Sequence, residues 1–92
     1  MLSEAAEAAL VESLASVVQF FEEVDNEVLD PDIAIRWMEW VSHLLNQLQK
    51  ADRHAVVTLC RARKDQASDP WMRRALEGLY SGCGLDQDDE ND

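Results

Sequence analysis

An all-α fold, a small antiparallel bundle of three long helices and one short C-terminal helix, is predicted by three features of this chain. Apolar residues recur at spacings of three and four. Only three glycines and two prolines punctuate 92 residues. Both prolines follow an aspartate, at Asp30-Pro31 and Asp69-Pro70. In that pair the carboxylate accepts from the free amides of a first helical turn, while proline fills the first helical position, where no donor is needed. A chain of this length holds one core. Residues 1–85 are therefore expected to form the bundle domain, and 86–92, which lack any apolar side chain, a disordered acidic tail.

The first helix is expected from about Ser3 to about Asp25. Ser3 serves as N-cap, and Glu4 and Glu7 lie where the positive end of the helix dipole favours acids. Its buried stripe reads Ala6, Leu10, Leu14, Val17, Val18 and Phe21. The second helix runs from Asp30-Pro31 to about Leu48, with Ile33, Trp37, Val41, Leu44 and Leu48 inward and Trp40 and Leu45 widening the stripe. Leu29 and Ala34 are placed to staple its start. Asp52 is read as a cap or first-turn residue of a third helix ending near Ala67, with Val56, Leu59 and Cys60 on its core side. Asp69-Pro70 opens a fourth, shorter helix carrying Trp71, Ala75, Leu76, Leu79 and Tyr80, which Gly82 or Gly84 can end in the left-handed conformation. Trp37 and Trp71 fit the core pattern. Phe20, and Ile35 with Met38, fall off the main stripes, so they either widen the buried faces or form an exposed apolar patch.

Charge is the other informative feature. Residues 1–32 hold nine carboxylates and no lysine or arginine, residues 33–78 hold all eight bases against five acids, and the tail holds five acids and no base. The net charge is −11. Such an imbalance favours solubility and encounter with a basic partner, and it opposes binding to nucleic acid or anionic membranes. The bases at Arg61, Arg63, Lys64, Arg73 and Arg74 are expected to serve as partners for the carboxylates of the first helix or the tail, each surface pair contributing about 0–1 kcal/mol. No apolar run approaches the ~20 residues that cross a bilayer. The acidic start Met1-Leu2-Ser3-Glu4 is unlike a signal peptide, so a cytoplasmic location is expected.

No catalytic residue, metal or cofactor is expected. The crowded carboxylates from Glu22 to Asp32 lack the glycine that an EF-hand loop requires, since no glycine precedes Gly78. His43, His54, Cys60 and Cys83 lack zinc-ligand spacing. The cysteines are expected to be free thiols, at least partly buried. There is no nucleophile elbow, phosphate loop or H-E-x-x-H motif.

What remains suits binding. Six carboxylates, Glu22, Glu23, Asp25, Glu27, Asp30 and Asp32, crowd eleven residues, with Phe20 as an apolar neighbour. In size, charge and helical build the chain resembles the small immunity proteins with which bacteria neutralise toxins in their own cytosol. That resemblance implies a basic protein partner, such as a toxin domain, whose functional surface these seven residues would cover, with no role for nucleic acid or membrane. Two other readings stand beside it: a phage-encoded DNA mimic that blocks a defence nuclease through carboxylates spaced along the first helix, and a homodimeric adaptor or chaperone that uses the off-stripe apolar residues. The protein is accordingly expected to be a monomer or a homodimer.

Overall fold

The computed structural model describes residues 2–86. These residues form four α-helices and no strand: α1 (Glu4–Glu23), α2 (Pro31–Asn46), α3 (Lys50–Gln66) and α4 (Pro70–Glu77). A π-helical turn at Gly78–Gly82 continues directly from α4. The expected tail, beyond Asp86, lies outside the described residues.

Three starts follow the predicted capping chemistry. Ser3 Oγ accepts from Ala6 N at 3.1 Å, Asp30 Oδ1 from Asp32 N at 2.9 Å, and Asp69 Oδ1 from Trp71 N at 3.0 Å. The start of α3 differs. Gln49 precedes the helix without capping it through its side chain, and Asp52 lies in the first turn, where the dipole favours it. α1 and α2 each stop two residues short of the expected end.

The core is built where α1, α3, α4 and the π-helical turn meet. Ala15 and Val18 enter it from α1, Val57 and Cys60 from α3, and Ala75 and Leu76 from α4; Leu79, Tyr80, Cys83 and Leu85 complete it. Leu76, Leu79 and Leu85 are fully buried. The chain returns to the core because Gly84 takes a left-handed conformation, φ +76°, which lets Leu85 N donate to Tyr80 O at 2.9 Å. The guanidinium of Arg61 lies 5.2 Å from the centre of the Tyr80 ring, a cation–π contact over this end.

α2 stands apart. It packs chiefly on α1, and only Ala34 within it is buried. Met38, Val41 and Leu45 reach the edge of the core. The expected inward stripe is therefore corrected. Ile33, Trp37 and Leu44 are exposed, as are Leu10 and Val17 on α1. The physical reason is the width of the apolar arc. Positions 34, 38, 41 and 45 lie about a quarter-turn from 33, 37, 40 and 44 on a 3.6-residue helix. One neighbouring helix covers the first set and leaves the second to solvent. Phe20 and Ile35 are likewise exposed, whereas Met38 is half-buried, so the apolar residues off the predicted stripes divide between surface and core edge.

Candidate protein-interaction surface

The six clustered carboxylates fall at the end of α1, in the connection and at the start of α2. Glu22 and Glu23 occupy the last turn of α1, Asp25 and Glu27 the connection, Asp30 the N-cap of α2 and Asp32 its first turn. All six are exposed. No base lies in the last turn of α1 to offset the carboxylates at the negative end of its dipole. Their concentration there costs local stability.

They do not share one role. Glu23 is tied down, accepting from Gln19 Nε2 at 2.9 Å and from the indole Nε1 of Trp71 at 2.7 Å. These two bonds, with the charge of Arg74, hold its carboxyl below the usual carboxylate range. Asp25 Oδ1 accepts from Glu27 N at 2.9 Å and shapes the turn, and Asp30 caps α2. The side chains of Glu22, Glu27 and Asp32 make no hydrogen bond or ion pair within the described residues. These three are free to meet a partner.

Apolar surface interleaves with this charge. Phe20, whose ring packs 5.8 Å from that of Phe21, is half-exposed, and Val28, between Glu27 and Leu29, is 73% exposed. Beside them, Phe21, Val24, Leu29, Pro31, Ile35 and Met38 line a groove of about 280 Å³ between the end of α1 and the start of α2, with Glu22 at its border. Sequence reasoning missed Val28. The signal was a β-branched apolar residue within a short, carboxylate-rich connection, where no element covers it.

Elsewhere, among the described residues, two of the five bases pair with carboxylates, and one of these two carboxylates belongs to the first helix, as expected. Arg63 pairs with Glu12 of α1 at 3.4 Å, and Lys64 with Glu77 at 2.9 Å. The bond to Glu77 raises the ammonium pKa of Lys64. Cys60 and Cys83 are buried free thiols. Burial, and secondarily the nearby Cys83, push the Cys60 thiol up to about 11, so it stays protonated and unreactive near neutrality. His43 stacks on Trp40 with 5.5 Å between ring centres. Among the described residues no group of three or more His, Cys, Asp or Glu side chains is arranged to hold a metal ion, and no helix is long and apolar enough to cross a membrane. Compared with known protein families, characterised proteins and solved structures, the chain matches none.

Proposed function

We propose that this protein is a non-catalytic acidic binding protein of the immunity-protein kind, which neutralises a cytoplasmic toxin or enzyme by covering its basic functional surface. The observation that carries this reading is the joint exposure of Glu22, Glu27 and Asp32 on the segment that joins α1 to α2, beside a groove that Glu22 lines with Phe21 and Ile35. Short connections favour an antiparallel bundle, in which the end of α1 and the start of α2 share one pole of the molecule. Fixed carboxylates there would attract a basic surface over long range and speed encounter. Phe20, Val28 and the groove would then supply apolar contact that slows release. A lysine or arginine of the partner suits such a site, because its aliphatic stem can lie in the groove while its charge meets Glu22. A DNA mimic is less well supported. No carboxylate falls between Glu12 and Glu22, and Glu12 is engaged by Arg63.

The test is affinity capture from the producing cell with the wild-type chain and with a Glu22→Lys, Glu27→Lys, Asp32→Lys variant. None of these three side chains caps or ties a helix, so helicity by circular dichroism should be unchanged. The wild type is expected to retain a protein with a basic surface, released as salt rises, and the variant to lose it. Equal capture by both chains, or retention of all partners in molar salt, removes the acidic pole from the function.

A further inference from the structure

α2 leaves a straight apolar stripe without a partner. Ile33, Trp37, Trp40 and Leu44 are 41%, 52%, 50% and 45% exposed. Their spacings of four, three and four residues match the seam of a helix pair. A concavity of about 510 Å³ beside them is lined by Arg36, Trp37, Glu39, Trp40 and His43, all from α2 itself. No other described element reaches over this face, and residues 87–92 carry no apolar side chain with which to cover it. Two half-exposed indoles and two half-exposed aliphatic chains are more apolar surface than solubility alone explains.

We infer that this stripe binds a second copy of the chain, with the two α2 helices packed antiparallel about a two-fold axis at the level of Trp37 and Trp40. Three features select this occupant and this orientation.

The first is charge. Arg36 and Glu39 lie on the same edge of the stripe, three residues apart. An antiparallel dyad brings Arg36 of each copy within about half a helical turn of Glu39 of the other, giving two reciprocal ion pairs from one surface. A parallel pair would place this edge of the two copies on opposite sides of the seam, out of reach of each other.

The second feature is the acidic pole. A parallel pair would bring together both copies of the Glu22–Asp32 segment. The antiparallel pair separates them by roughly the 24 Å length of a sixteen-residue helix. It also points the start of each α2 toward the α2–α3 junction of the other copy, where the bases Lys50 and Arg53 are carried.

The third is area. A half-exposed tryptophan offers about 100 Å², and the four side chains together about 350 Å² per copy. With the flanking Arg36, Glu39 and His43, two copies bury on the order of 1,000 Å², at the lower end of specific interfaces, where weak and transient association is found. The dimer leaves both acidic poles open, one at each end.

Sedimentation equilibrium of the full chain, from about 1 µM to about 500 µM, should show mass rising from 10.4 kDa toward twice that value. Trp40→Glu should abolish the rise without loss of helicity. Arg36→Glu and Glu39→Arg should each weaken dimerisation several-fold, and the double exchange should restore it, which a merely misfolded variant cannot do. Salt separates this inference from the proposed function: screening the repulsion between two chains of −11 strengthens the dimer, whereas binding to a basic partner weakens. A wild type that stays monomeric throughout, or a dimer indifferent to Trp40→Glu, overturns the inference. A wild-type monomer would leave the stripe to a different protein.

Discussion

The α4 region and α2 are made from the same kind of sequence and end in opposite circumstances. Both begin with Asp-Pro, both carry tryptophan, and both repeat apolar residues at three and four. Yet α4 and the turn after it place Ala75, Leu76, Leu79 and Tyr80 in the core, whereas α2 buries only Ala34. The difference lies in the neighbours. α4 packs against α1, α3 and the π-helical turn, while α2 has chiefly α1. Amphipathic periodicity therefore fixes that a helix has an apolar side, and the number of elements around it fixes how much of that side is covered. In this chain the region that secures the fold and the region left open for recognition are distinct, a division in keeping with local stabilities that differ across one domain.

The sharpest way to break this contrast is to truncate a leucine in each region. Leu76→Ala removes a fully buried side chain and should cost about 2–5 kcal/mol, a large share of the stability of so small a domain. Leu44→Ala, at dilution where the chain is monomeric, should cost about 0.5 kcal/mol or less. Urea unfolding followed by circular dichroism measures both. Equal losses would mean that α2 is covered as thoroughly as α4.

The core region should also fail first in alkali. The Cys60 thiol is raised from 9.0 to about 11 in the folded chain, chiefly by burial. Between those values the unfolded chain has released a proton that the folded chain keeps, so stability falls as pH rises. The loss should be on the order of 1 kcal/mol by pH 10. Urea midpoints at pH 8 and pH 10 should therefore differ in the wild type and differ less in Cys60→Ala. A pH response unchanged by Cys60→Ala would detach this thiol from the buried core.

Capping sharpens the comparison at a smaller scale. Asp69→Ala should lower global stability by about 1 kcal/mol, because α4 is integral to the core. Asp30→Ala removes an equivalent hydrogen bond, but its helix is weakly anchored. Its effect should appear mainly as faster amide exchange in the first turn of α2, with little change in the global urea midpoint. A global loss as large as that of Asp69→Ala would show that α2 unfolds only with the whole domain.

The same division explains what the sequence made legible. Helix number, and the caps at Ser3, Asp30 and Asp69, depend on a few consecutive residues and were readable without tertiary knowledge. The buried set was readable for Leu76 and Leu79, which have core on every side, and misread for Ile33, Trp37 and Leu44. Their apolarity is a local property, whereas their exposure depends on which helices stand beside α2. The acidic candidates were visible as composition. Asp30 was readable as a cap, but that Glu23 and Asp25 are also occupied within the fold while Glu22, Glu27 and Asp32 are not depends on Trp71 and on turn geometry. Trp71 is far away in sequence, so this division could not be read in advance.

One contact joins the start of α4 to the acidic end of α1 and gives the smallest expected effect: the indole of Trp71 donates to Glu23. Glu23 has a folded-state pKa below 4.5, through its bonds to Gln19 and Trp71. A lowered carboxyl pKa adds stability above the unfolded value, and that stability disappears as pH falls through the folded value. Trp71→Phe keeps an aromatic ring against the core and deletes only the donor. The wild type should therefore exceed Trp71→Phe slightly in urea midpoint at pH 7, and the two should converge toward pH 3. Because Glu23 is exposed, solvent screening keeps the difference modest. A gap that persists unchanged at pH 3 would mean that ring packing, not the charged bond, holds α4 to the acidic pole.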